Sequence, residues 1–362
     1  MRHESSIDYL PNEILEIIFD AGARLSIALD ERYPRQPLFS KAPVPPLFAI
    51  SISQVCTRWR DIAIHTPPLW SFIHLSRSAS SHKRLKSHLG HSLDWVPMYL
   101  VRSARSRLHV TLDTTRLPCA ALDLICFYSN RWESFALQIA HVGSLSGILP
   151  RLHPLRIPKL KSLKIVSDIY REGIISYTAM PLFFSTPTPK LTSVRLVGVY
   201  LDWNATPLCN LTELELHLTS RWPAFAQLQE MFDASPLLQR LIIRDEITTI
   251  LRNIGQPKSK PTIGLQSLSY LEVEVYRIRD GHADVAQLMG LFNMPVLETL
   301  VLKELKLGEW KDISIRYGLP LNHRALNVFE RVFGRNRTVF TTFPFLSTLA
   351  VTESTMRRII SY

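Results

Sequence analysis

The side chains that could support catalysis do not assemble into a catalytic pattern. Gly143-Ser144-Leu145-Ser146-Gly147 has the outline of a nucleophile elbow, but leucine stands where the attacking serine must be. The sequence contains no H-E-x-x-H pair, no Walker-type phosphate loop and no G-x-G-x-x-G. The 12 histidines are dispersed, and none pairs with a cysteine or carboxylate at metal-ligand spacing. His109 and His217 each fall in an expected strand, as satisfied or exposed side chains rather than ligands. Cys56, Cys119, Cys126 and Cys209 form no C-x-x-C pair and are expected to be buried, inert thiols. With only 13 glycines, phosphate-cradling loops are scarce. The expectation is a protein that is not an enzyme and holds neither metal nor cofactor.

What remains is the chemistry of surfaces, and it begins near the N-terminus. Leu10, Ile14, Ile17 and Ile18, widened by Leu15 and Phe19, recur at helical spacing. Pro11 suits the first helical position, Glu13 the positive first turn, and Gly22 a stop. Pro34, Pro37, Pro43, Pro45 and Pro46 then exclude regular structure, which makes residues 24–46 an inserted surface loop. The apolar pattern resumes at Phe48, Ile52, Val55, Trp59, Ile62 and Ala63, on one face of one or two helices. Pro67-Pro68 ends the run, and Leu69-Trp70 adds a large apolar anchor. Three helices this short cannot bury so much apolar surface unaided.

The order Leu10-Pro11-x-Glu13-Ile14-Leu15-x-x-Ile18-Phe19, then Val55-Cys56-x-Arg58-Trp59-Arg60-x-Ile62-Ala63, then Pro68-Leu69-Trp70 resembles an F-box. The likeness covers about a fifth of the chain and departs from the pattern in the long proline-rich insert. It implies docking on a Skp-type adaptor and, through it, on a cullin, in an SCF-type cullin-RING ubiquitin ligase. By family match the adaptor would meet Leu10, Pro11, Ile14, Leu15, Ile18, Val55, Cys56, Trp59 and Trp70.

From about residue 105 a phrase recurs, L-x-x-L-x-L with Ile or Val at the later positions. It opens at Leu160, Leu191, Leu211, Leu238, Leu268, Leu297 and Leu346, with weaker copies at Leu108-x-Val110-x-Leu112 and Phe135-x-Leu137. Most full copies are 20 to 31 residues apart and the last interval is 49, so one copy there is degenerate or interrupted. Proline precedes the opening leucine by two residues at Pro158, Pro189, Pro236, Pro295 and Pro344, where a strand can begin just after it. Residues 225–232 and 285–292 read as short helices between strands. Strand plus helix, repeated, resembles the irregular leucine-rich repeats found behind F-boxes. The asparagine of the best-known consensus is missing, its places held by Asp168, Val199, Thr219, Glu246, Tyr276, Leu305 and Ser354. Met356-Arg357-Arg358 follows the last strand closely, leaving little room for a terminal cap, as in a truncated chain.

The expected fold class is α/β: a three-helix F-box module at residues 1–76, a basic linker or first repeat region at 77–104, and a repeat solenoid, a horseshoe, at 105–362. In such an array the leucines point inward and the residues between them form a column on the concave face. That column reads Ala136, Lys164, Arg195, Glu215, Ile242, Glu272, Val301 and Ala350, flanked by Lys161, Arg240, Arg244, Tyr270 and Glu274. Nine strands at ~4.8 Å spacing offer an arc of ~40 Å, a size for a protein target rather than a small molecule. Lys164, Arg195, Glu215, Arg244, Tyr270 and Glu272 are the candidate target-binding residues, positive at one end, then acidic and apolar.

The net charge of +11 is spread along the chain, densest at His82-Lys83-Arg84-Leu85-Lys86-Ser87-His88, which favours a solvated linker over a nucleic-acid patch. No stretch nears the ~20 apolar residues of a membrane span, and the N-terminus lacks the apolar core of a secretory signal. The expected site is the cytoplasm or nucleus, where the sequons at Asn204, Asn210 and Asn336 carry no meaning. Three functions remain: a substrate receptor of the ligase with an unknown protein target, a scaffold outside any ligase, and a basic nucleic-acid-binding solenoid.

Overall fold

A computed structural model describes residues 6–32, 47–75, 95–113, 119–139, 148–167, 188–199, 203, 208–217, 222–254, 262–276, 283–317, 331–332 and 343–353. The protein is α/β, with a ten-strand parallel sheet, one antiparallel edge strand and several helices. The basic group at residues 82–88 and most of the proline-rich insert lie outside the described residues, as does Asn204. The chain divides into two compact units. The first comprises Met1–Ser162, Ser167–Glu172 and Phe183–Pro189; the second comprises Leu163–Val166, Gly173–Leu182 and Lys190–Tyr362.

The first unit opens with α1 (Asn12–Arg32), α2 (Leu47–Ser53) and α3 (Thr57–His65). Leu15, Phe19 and Ala23, spaced at i, i+4 and i+8, form the buried stripe of α1. α1 packs against α2 and α3, whose Ala49, Ile52, Ile62 and Ala63 are buried as well. Gly22 does not stop α1, which runs ten residues further to Arg32. Its lack of a side chain serves packing: a Cβ there would collide with the Phe48 ring. Of the one or two helices expected between Phe48 and Ala63 the structure has two, separated by the turn at Gln54 and Val55.

A 3-10 turn at Pro67–Trp70 leads straight into β1 (Phe72–Leu75), a strand that the leucine phrase does not mark. β1 pairs in parallel with β2 (Leu108–Asp113), and β2 with β3 (Trp132–Ile139). Between β1 and β2 the sequence predicted a basic linker or first repeat region, with no helix marked. Residues 95–102 are instead α4 (Trp95–Arg102), with Trp95, Val96, Tyr99 and Leu100 buried. Four large apolar residues in six positions cannot be left in water, and that outweighs the neighbouring basic composition. α5 (Cys119–Phe127) and α6 (Leu149–Leu152) follow; of β4 (Ser162–Ser167), Leu163–Val166 belong to the second unit.

The second unit is built on β5 (Ser193–Val197), β6 (Glu213–His217), β7 (Arg240–Asp245), β9 (Tyr270–Val275), β11 (Thr299–Leu305) and β13 (Thr348–Glu353). These pair in parallel in that order, and β12 (Arg331–Val332) closes the edge antiparallel to β13. Each strand begins two residues after the opening leucine of its phrase. The register sets Val194, Leu214, Leu241, Leu271, Leu300 and Leu349 side by side, each no more than 1 % exposed. The helices α7 (Phe225–Asp233), α8 (Ile247–Ile254), α9 (Val285–Met289) and α10 (Leu307–Tyr317) fill the connections, with β8 (Ile263–Gly264) paired to β10 (Phe292–Asn293). The expected helix at 285–292 thus ends at Met289, and Phe292 already belongs to β10. α10 and β12 occupy the 49-residue interval before the last phrase.

Candidate interaction surfaces

The first surface lies on the three N-terminal helices. Beside its buried stripe, α1 carries a second apolar row: Ile14, Ile17 and Ile18 are 42 %, 65 % and 45 % exposed, and Leu25 is exposed as well. Val55, in the turn between α2 and α3, is 60 % exposed, and Pro11 is exposed too. This apolar row lies on a helix already anchored by its other face, so it stays in water in the chain by itself.

Local chemistry fixes the row in place. The Arg58 guanidinium on α3 donates to Asn12 Oδ1 from Nε at 3.0 Å and from Nη2 at 2.9 Å, and it also reaches the Leu10 carbonyl. Arg60 Nε donates to the Ser53 carbonyl at 2.9 Å, holding α3 against the end of α2. Cys56 caps α3: its backbone is extended and its Sγ accepts from the Trp59 N–H at 3.4 Å. That thiol is exposed, whereas the sequence led us to expect four buried ones; a cap sits outside the helix it closes. Cys126 is buried, and burial pushes its thiol up to about 12. Cys209 is half-buried, and the Cys119 side chain lies outside the described residues.

The nine residues expected to meet an adaptor therefore separate. Pro11, Ile14, Ile18, Val55 and Cys56 are exposed; Leu10 and Trp59 are half-buried, Trp59 lying 4.9 Å from the Phe19 ring. Leu15 and Trp70 are wholly buried and face the core of the unit. Trp70 donates its indole N–H to the Ala63 carbonyl at 2.6 Å, meets Tyr99 edge-on at 5.0 Å and carries the Arg102 guanidinium 4.4 Å above its ring. Its ring partners Tyr99 and Arg102 come from α4, which lay in the expected linker or first repeat region. Ile17, the most exposed isoleucine of α1, was within the sequence pattern but not among the nine.

The second surface is the face of the second unit's sheet opposite the leucines. The register aligns Arg195, Glu215, Ile242, Glu272, Val301 and Ala350 across six strands, the column expected from the sequence. The charges are not free. Arg195 pairs with Glu215 at 3.3 Å, Arg244 with Glu215 at 2.9 Å and with Glu272 at 2.9 Å, and Lys303 with Glu272 at 2.7 Å. Glu274 stands 3.4 Å from Arg244, and the Tyr270 hydroxyl donates to Glu272 at 2.8 Å. Charge thus alternates, plus to minus, strand by strand from β5 to β11. A positive end followed by an acidic stretch is what single positions suggest; the side chains reach sideways to neighbours and cancel it. Ile242 and Glu272 are buried within this face, and Lys164 on β4 is half-buried.

Burial alone would raise the Glu272 carboxyl. The Lys303 ammonium, the Arg244 charge and the Tyr270 hydroxyl outweigh it and hold Glu272 down at about 2. Burial and that same carboxylate push Tyr270 up to about 12. Burial opposes the charge on Arg244, but Glu215 and Glu272 more than restore it. His217, in register with Arg244, is held near 4 by burial and by the Arg244 and Arg195 charges, and among the described residues neither ring nitrogen has a hydrogen-bond partner. His109 of the first unit differs: its ring stacks on Phe72 at 4.7 Å and its Nδ1 lies 2.9 Å from the Ser134 hydroxyl.

Among the described residues no group of histidine, cysteine and carboxylate side chains could hold a metal ion. Among them, too, no helix is long and apolar enough to cross a membrane. No protein-family model matches the sequence, and no curated protein matches it.

Proposed function

We propose that this chain is a non-catalytic substrate receptor of an SCF-type cullin-RING ubiquitin ligase. The three N-terminal helices act as an F-box-like module that docks on a Skp-type adaptor. The strands behind them act as an irregular leucine-rich repeat solenoid that holds a target protein. The receptor supplies proximity and orientation, and other subunits carry the chemistry of ubiquitin transfer.

The observation that carries this reading is the exposed row Ile14, Ile17, Ile18 and Val55, on helices whose opposite face is already packed. A partner groove laid on that row removes apolar surface from water, the arrangement of helix-in-groove recognition. The row coincides with the motif that resembles an F-box. The test is a pull-down of the full chain on a purified Skp-type adaptor, beside an Ile14→Asp/Ile18→Asp/Val55→Asp variant. All three side chains are exposed, so the variant keeps its fold and its circular dichroism. Capture of the wild type and loss of the variant supports the receptor reading; a wild type that fails to bind sinks it.

A further inference from the structure

One cation on the polar sheet face stands outside the alternating pairs. Arg240 lies one row nearer the strand beginnings, in register with Glu213 on β6 and Tyr270 on β9. Its guanidinium carbon is 3.9 Å from the centre of the Tyr270 ring. Tyr270 is pinned by the hydrogen bond from its own hydroxyl to Glu272, so the platform under Arg240 is rigid. Among the described residues no carboxylate pairs with Arg240. Glu213, its register neighbour, is exposed and accepts from the Ser193 hydroxyl at 3.3 Å. The same row continues through Thr299 and Thr348, both half-buried.

Three other cations of this face, Arg195, Arg244 and Lys303, are already taken. Each has a carboxylate within 3.3 Å, and an incoming anion would have to break one of those pairs. A guanidinium held over an aromatic ring has little freedom still to lose on binding, and its fork matches a carboxylate with two hydrogen bonds. One cation in a row that continues through Thr299 and Thr348, rather than a cage of several, suits a singly charged carboxylate better than a phosphate dianion. From β6 to β13 the row spans roughly 20 Å at ~4.8 Å per strand, room for an extended segment of several residues. Arg and Tyr are also the side chains on which protein interfaces most often concentrate their binding energy.

We infer that this row is a docking site for an acidic segment of a partner protein, whose carboxylate side chain is received by Arg240 on its Tyr270 platform. The site names the chemistry of the target in the proposed function. It rests on the target-recruiting half of that reading and not on adaptor docking.

The test is fluorescence anisotropy of a labelled hexaglutamate peptide with the full chain at ~0.15 M salt, where charges more than ~8 Å apart are screened. Arg240→Gln, which loses the charge-assisted pair, and Arg240→Lys, which keeps the charge but loses the two-pronged fork over the ring, are each expected to weaken binding by about tenfold. Arg252→Gln removes the same charge from an exposed position on α8 and is expected to leave binding unchanged. Absence of saturable binding by the wild type, or equal weakening by Arg252→Gln, overturns the inference. So does displacement of the peptide by inorganic phosphate at concentrations where acetate has no effect. No adaptor is present in this assay, so its failure leaves adaptor docking untouched, and failure of the pull-down leaves this site untouched.

Discussion

The Phe48 ring of α2 crosses α1 at Gly22, in the space that a Cβ would occupy. Gly22→Ala therefore sets two effects against each other. The helix gains about 1 kcal/mol of propensity, while overpacking against the ring costs about 1–3 kcal/mol. A net loss of stability is expected in urea unfolding of Gly22→Ala. A Gly22→Ala/Phe48→Leu double variant is expected to recover part of it, since the two positions share one contact. A purely additive double variant would mean that the ring does not press on the glycine.

Trp70 and Ile17 separate core from surface in the same unit. Trp70→Ala removes a wholly buried ring along with its hydrogen bond to Ala63, and is expected to cost about 3–5 kcal/mol. Ile17→Asp changes a residue that is 65 % exposed and is expected to stay within about 0.5 kcal/mol of wild type. Thermal melting of the two variants decides this. Equal destabilisation would contradict the packing described.

Acid should weaken the second unit in two overlapping steps. His217 binds its proton near 4 in the folded chain, against an ordinary 6.5, so the unfolded chain holds more protons between those values. Stability falls as pH drops through that window, by about 3 kcal/mol at pH 4. Glu272, held near 2 against an ordinary 4.5, adds stability above its ordinary range, and that is lost as pH falls from about 4.5 towards 2. A His217→Phe variant is expected to show a flatter urea-midpoint profile between pH 7 and 4. The same slope in wild type and variant would remove His217 from the account.

Ala104 adopts a φ of +46°, in the turn after α4. A side chain there costs about 1–2 kcal/mol, part of which glycine returns through its greater freedom when unfolded. Ala104→Gly is thus expected to stabilise the chain by roughly 0.5–1 kcal/mol, read as a rise in melting temperature.

The sheet was legible because its leucines repeat: every full phrase supplies a strand, and period-two alternation fixes which side chains turn inward. β1 was not legible, because Phe72-Ile-His-Leu75 is too short for the phrase and takes its pairing from β2. The helical pattern of α1 was plain, but Gly22 was misread as an end because the cue for a stop is identical to the cue for a close crossing. Which of two apolar rows on α1 faces inward is likewise not a matter of spacing. Leu15 and Ile14 belong to the same pattern, and only contact with Phe48's helix and α3 decides between them. On the polar face the column of residues could be written from the sequence, but not the pairing among them, since long side chains choose partners across strands. Lys303 lies outside the phrase and completes the network all the same.

Parallel strands that carry almost the same leucine phrase are, to a folding chain, almost interchangeable. Arg195, Glu215, Arg244, Glu272 and Lys303 make them distinguishable. If β6 were skipped and β7 laid against β5, Arg244 would stand diagonal to Arg195; if β7 were skipped, Glu272 would face Glu215; if β9 were skipped, Lys303 would face Arg244. Each of these three omissions brings like charges together in a half-buried setting, where they repel most. The alternation of sign thus acts as a parity check on assembly order, rejecting neighbours that the apolar core alone would accept.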